Sequence, residues 1–195
     1  MRISPLIGQA HWSREGRQLV SSGIRESESR YRTETWQFNA EGSRGAKLPI
    51  RETDIVVYWS PDGAWLLVAS DRERSVDDRS FAIRIGDRPT YAVRPDGSDD
   101  QLITEGGATR RFHRFAPDSR RIIYLQLERD EYSLWIVNVD GSGRHRVVSE
   151  RENLAPFEAV WSPDGALIAV SFLKLSEDET PRKLENPSVY AASRS

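Results

Sequence analysis

Arg110, Arg111, His113 and Arg114 form the densest basic run in the sequence. Guanidinium groups grouped in this way can grip a carboxylate or a phosphate through paired hydrogen bonds. Arg51, with Glu52 and Asp54, and Arg151, with Glu152 and Asn153, are the other charged segments of the same kind. These six basic residues, Arg51, Arg110, Arg111, His113, Arg114 and Arg151, are the candidate partner-binding set. Covalent and metal chemistry has less to work with. The histidines, His11, His113 and His145, are scattered with no second metal-type residue at a ligand spacing, and the absence of cysteine excludes thiolate sites, cysteine nucleophiles and disulfides. No G-x-S-x-G, H-E-x-x-H, G-x-x-x-x-G-K-[ST] or G-x-G-x-x-G is present. The expectation is no catalytic residue, no cofactor and no metal.

Asp62, Asp118 and Asp164 are carboxylates of another kind, because each recurs inside a copy of one pentapeptide. WSPDG runs from Trp59 through Pro61 and Asp62 to Gly63, and again from Trp161 through Pro163 and Asp164 to Gly165. Worn copies start at Trp12 (WSREG) and at Phe115 (FAPDS). An acid that returns in most copies of a repeat is better read as turn chemistry than as a general acid or base. Proline presets φ for the second turn position, while Asp and Gly accept the tight backbone that follows.

Starts at 12, 59, 115 and 161 leave intervals of 47, 56 and 46 residues, which is blade-sized spacing. A second repeat runs offset from the first. Trp36, Tyr91 and Trp135 each stand five residues before an acidic-Gly-Ser turn, at Glu41, Asp96 and Asp140, and Leu48, Ile103 and Val147 each follow seven residues after the acid. The runs after the first turns, such as Trp65 to Ala69, Arg121 to Leu127 and Ala166 to Phe172, are short, β-branched or aromatic, and free of proline, so they are expected to be strands. The turn aromatics Trp12, Trp59, Phe115 and Trp161 are expected to wedge between neighbouring sheets as core.

WSPDG before an apolar strand, then aromatic-x-V-N-x-DGS before a weaker one, resembles the TolB-type propeller repeat, also described as a WD-like Pro-Asp repeat. The likeness runs through nearly the whole chain, is strongest at Trp59 to Thr104 and Phe115 to Val148, and departs at Arg14 and Glu15, where Pro-Asp is missing. It implies an all-β propeller of about four four-stranded antiparallel blades. Similar blades occur in bacterial envelope proteins that bind other proteins and as the substrate-gating propeller of prolyl-oligopeptidase-type serine peptidases. Two functions follow as expectations: a non-catalytic scaffold for protein interaction, or the propeller portion of such a peptidase. A sugar-processing or small-molecule propeller enzyme fits less well, because it calls for a cluster of His and carboxylates.

Counting strands a to d from the inside outward, the fourth blade reaches Tyr190 as its outer aromatic and lacks its own strand d. A strand at Ile3 and Ser4 could supply it and latch a four-blade ring, and the alternative is a partial ring completed by other blades. The partial ring is the preferred expectation, because rings of this resemblance usually hold more than four blades. Exposed blade faces and strand edges must pair, be covered or aggregate. A second copy of the chain is the simplest source of matching blades, so a homo-oligomer is expected. In a ring, the d-to-a connections holding the six basic residues would share a rim with the b-to-c loops at 71–79, 128–131 and 176–180, and loops on a rigid scaffold carry recognition.

The chain of 195 residues is 37% hydrophobic and 30% charged, with a formal net charge of −2, and reads as one repeat domain spanning 1–195. That charge gives no general attraction to nucleic acid or to an anionic membrane. No apolar run is long enough to cross a bilayer. Met1 to Ile7 is too short for a signal-peptide core, which implies a cytoplasmic chain as written, or a periplasmic one if an export segment lies upstream.

Overall fold

The recurring Ser and Asp side chains build the hairpins. In the computed structural model, which describes residues 10–13, 15–27, 30–41, 45–70, 88–106, 109–129, 131–149, 153–175 and 184–194, Ser60 donates its hydroxyl to Asp62 Oδ1 at 2.6 Å. Asp62 Oδ1 also accepts from the Ala64 amide, and Ser60 Oγ accepts from the Trp65 amide. The same three bonds recur at Ser162, Asp164, Ala166 and Leu167. Gly63 and Gly165 follow at φ of 72° and 71°, a region open to glycine without cost. At the FAPDS copy, Asp118 Oδ1 accepts from the Arg120 amide at 2.8 Å, and Ser119 takes the glycine's place at φ 59°. Asp62, Asp118 and Asp164 thus each accept a hydrogen bond from a backbone amide of their own turn.

The outer turns repeat the device. Asp96 accepts from the hydroxyl and amide of Ser98, and Asp140 does so from Ser142. These serine hydroxyl bonds, then the amide bonds, hold the Asp96 and Asp140 carboxyls below the usual range, and Ser162 and the Ala166 amide do the same for Asp164. Because the folded chain holds these protons less tightly, the stabilisation is complete above the unfolded aspartate value of about 3.9 and is lost as pH falls through the lowered folded values. Asp164→Ala is therefore expected to destabilise at neutral pH, with the gap to the parent closing below about pH 4 in urea melts. A gap that stays constant through acid would refute the charged turn.

Among the described residues, fifteen strands fold as four antiparallel meanders. The first sheet holds β1 (Ala10–Trp12), β2 (Gln18–Ser27), β3 (Arg30–Asn39) and β4 (Ala46–Lys47). The second holds β5 (Asp54–Trp59), β6 (Leu66–Ser70), β7 (Thr90–Val93) and β8 (Asp100–Thr104). The third holds β9 (Thr109–Phe115), β10 (Arg121–Glu128), β11 (Glu131–Asn138) and β12 (His145–Ser149). The fourth has three strands, β13 (Leu154–Trp161), β14 (Leu167–Leu175) and β15 (Leu184–Arg194). Among the described residues there is no helix.

Register shows that the four sheets are copies of one blade. The residue nine positions after each turn aromatic pairs with the outer aromatic: Ser21 with Trp36, Val68 with Tyr91, Tyr124 with Trp135 and Val170 with Tyr190. Tyr190 thus holds the outer aromatic position on the third described strand of the fourth blade. Ile3 and Ser4, the expected latch, lie outside the described residues.

The chain divides into two compact units, Met1–Gly107 and Ala108–Ser195. Each unit holds two blades around a shared apolar core. In the first, Val20 and Leu48 of one blade meet Val56, Leu66, Val68 and Val93 of the next, with Trp59 packed against them. A bond from the Val56 amide to Ser22 Oγ at 3.0 Å crosses the same junction. In the second, Ile123, Leu125, Leu134 and Ile136 meet Ala159, Ile168, Val170 and Phe172, with Trp161 against them. Each fully buried Val, Leu, Ile or Phe among them contributes about 1.5–3 kcal/mol. Trp59 and Trp161 are therefore the wedges that the repeat predicted, and Phe115 is buried at 9% exposure. Trp12 departs from that expectation. It is 55% exposed, because no described sheet precedes the first blade to cover it.

Candidate functional site

The backbone ladder of β9 accommodates residues of any polarity, and this moves the basic cluster from where the strand count had placed it. Arg110, Arg111, His113 and Arg114 were expected in a connection at the rim; they lie within β9, where Arg110 pairs with Gln126, Arg111 with Leu125 and Arg114 with Ile123. Between those pairs Phe112 and His113 face the single residue Tyr124, which is a β-bulge, and the bulge accommodates a run without clean alternation. His113 is 6% exposed, and its ring stacks on Tyr124 at 5.5 Å and 16°. It is a packed core histidine, not an exposed ligand. Arg114 is half-buried; desolvation lowers its pKa, against the opposing field of Glu158 on β13.

Arg51 does sit in a connection, between β4 and β5. Its guanidinium is exposed and donates to Asp100 Oδ2 at 3.1 Å, tying the connection to the start of β8. Such a surface pair contributes about 1 kcal/mol at most. Arg151 lies outside the described residues, as do 71–87, 150–152 and 176–183, so much of the expected rim is not described. The structure therefore scatters the six basic residues: one in a described connection, four in a strand.

Three arginines absent from that set have defined work. Arg94, Arg121 and Arg144 lay their guanidinium groups over the rings of Trp65, Trp161 and Trp135 at 3.9, 4.8 and 4.5 Å. Arg121 also donates from Nε to Asp118 at 3.0 Å and from Nη2 to the Gly165 carbonyl at 3.1 Å, so it staples the turn of the third blade to that of the fourth. They share no common spacing from the repeat, so no pattern in the sequence marks them. Among the described residues, no three His, Asp or Glu side chains come together in a way that could hold a metal ion.

One surface does stand out. Val160 and Leu167 are large apolar side chains at 47% and 40% exposure, and both lie on the fourth blade. Strand alternation places them on the face opposite to Trp161, Ile168 and Val170, which are directed into the core.

No protein-family model matches the chain. It is 31% identical over 120 residues to the Tol-Pal system protein TolB of Anaeromyxobacter dehalogenans (strain 2CP-C), a match covering 60% of this chain and 25% of that protein. The chain thus spans about a quarter of the length of that curated relative. Its fold is similar to that of an oligogalacturonate lyase from Vibrio parahaemolyticus, with TM-score 0.65 and 12% identity over 97% of this chain and 53% of the other. It is also similar to the β-propeller domain of the Trilobed protease from Pyrococcus furiosus, described as having an open velcro topology, with TM-score 0.62 and 11% identity over 96% of this chain and 56% of that one. Structures of this fold therefore include enzymes as well as TolB. With the twice-built WSPDG hairpin, the offset DGS turn and the shared register, these likenesses identify the four sheets as β-propeller blades that resemble those of TolB.

Proposed function

We propose that this chain is a non-catalytic propeller scaffold that binds another protein through the connections at the ends of its blades. The observation that carries this reading is the likeness to TolB over 120 residues, and TolB is by name a protein of the Tol-Pal system. The internal chemistry agrees with it. The recurring carboxylates Asp62, Asp118 and Asp164 are committed to turn hydrogen bonds, which leaves the connecting segments as the variable chemistry on a rigid frame. Arg51 and Arg151 are the proposed basic contacts; Arg110 and Arg111 lie in β9 and are not in a connection. Arg114 and His113 are left out of it, because one is half-buried near Glu158 and the other is packed on Tyr124.

The test uses the immobilised chain and an extract of the cells that make it, with cross-links mapped on the captured protein. The expected result is one partner cross-linked to the connections near Arg51 and Arg151, released by salt and lost in the Arg51→Glu/Arg151→Glu variant with its circular dichroism unchanged. Capture unaffected by that variant would remove the rim from the account.

A second reading is favoured by the likeness to the protease propeller domain: a substrate-gating propeller joined to a hydrolase. Reading the gene beyond the codon for Ser195 separates the two. An in-frame G-x-S-x-G followed by Asp and His supports the peptidase.

A further inference from the structure

Each blade presents two faces, and the repeat register says which residues belong to which. His11 pairs with Val20, Arg114 with Ile123 and Val160 with Ala169, at equivalent positions of the first, third and fourth blades. In the first blade this pair is turned to the blade that follows: Val20 shares a core with Leu66 and Trp59, and the His11 ring lies 5.2 Å from that of Tyr58. In the third blade Ile123 likewise shares a core with Ile168 and Trp161. The pair therefore marks an acceptor face. The turn aromatic of the following blade is the wedge that fills it.

In the fourth blade the acceptor position is uncovered. Val160 and Leu167 are exposed, and Ala169 between them is exposed as well. The first blade has the reciprocal feature, because its wedge Trp12 is also exposed. Among the described residues, an open acceptor on the fourth blade and an open wedge on the first thus belong to the same kind of interface that the chain builds within each unit.

We propose that a second copy of this chain docks head to tail, with Trp12 of one copy packed against Val160, Leu167 and Ala169 of the other. Three features favour a copy of the chain as occupant. The wedge and the acceptor hold repeat-equivalent positions to Trp59 with Val20 and to Trp161 with Ile123, so their chemistry is already matched. Alanine stands at 169 where the first three blades have valine, leucine and isoleucine, so an incoming indole meets a smaller side chain there than it does at Val20 or Ile123. All three acceptor side chains are uncharged, as the centre of an interface requires. The contact is heterologous, one face against a different face, so copies join in a ring or in a chain. It involves none of the connections proposed above to bind another protein, so the two readings stand or fall separately.

Light scattering over a concentration series tests it with Trp12→Ala, Val160→Glu and their equimolar mixture. The unmodified chain is expected to associate, and each variant alone to do so at least about tenfold more weakly, as loss of a central aromatic anchor or a charge buried at the contact requires. The mixture is expected to regain a one-to-one complex, because Trp12→Ala keeps its acceptor and Val160→Glu keeps its wedge. No symmetric contact of either face with itself gives that rescue. Circular dichroism verifies folding, and Leu167→Glu on the same face replaces Val160→Glu if the latter unfolds. A parent chain that stays monomeric overturns the proposal, as do variants that associate like the parent or a mixture that stays unassociated.

Discussion

Trp59→Ala is expected to destabilise the first unit by about 3 kcal/mol, at the lower end of the range for removing a core tryptophan because the ring is only part-buried. The indole packs against Val20 and Leu48 from the preceding blade and Leu66 and Val68 from its own, and its loss leaves a cavity between two sheets that their ladders prevent from collapsing. Trp12 opens the same pentapeptide one repeat earlier, yet Trp12→Ala should cost under about 1 kcal/mol in the isolated chain, since an exposed side chain has little buried area to lose. Urea denaturation followed by far-UV circular dichroism, which is insensitive to the loss of one fluorophore, compares the two. Equal losses would mean that motif position, and not the covering blade, sets the contribution of the aromatic.

Gly97→Ala should produce a second large loss, for a reason invisible in the repeat itself. Gly97 sits at φ 74° in the Asp96-Gly97-Ser98 turn, and a Cβ there would lie 2.5 Å from the carbonyl oxygen of Pro49 in the connection between β4 and β5. That oxygen belongs to backbone, so it cannot rotate away as a side chain would. The left-handed conformation alone costs an alanine about 1–2 kcal/mol, and displacing packed backbone adds about 1–3 kcal/mol. Gly16 is the control. It has φ 66° and nothing within 4 Å, so Gly16→Ala should show the conformational cost alone. Thermal melts of the two variants should differ, with Gly97→Ala lower, and coincident melting points would refute the close approach.

Legibility differed between the hairpins and the surface for a physical reason. The hairpin turns close over a few residues, so Ser60, Asp62 and Gly63 carry their whole hydrogen-bond pattern within one short segment, and their recurrence at Ser162, Asp164 and Gly165 could be read directly. The third-strand position of Tyr190 followed from counting the same period. The basic run from Arg110 to Arg114 was misplaced because charge density suggests a loop, whereas the strand is set by pairing with β10 and its irregularity is absorbed by the bulge opposite Tyr124. The guanidinium groups stacked on Trp65, Trp135 and Trp161 were missed because these contacts depend on side-chain reach and share no spacing.

By itself, then, the sequence determined the blade: its period, its two turns and its strand order. Each of these depends on local backbone chemistry and on register, which are properties of neighbouring residues. Only the tertiary structure decided which equivalent residues have equivalent surroundings. Trp12 and Trp59 are alike in the motif, as are Val160, Arg114 and His11 in register, but burial depends on whether another sheet lies against the face, and that is a long-range fact that no single repeat contains.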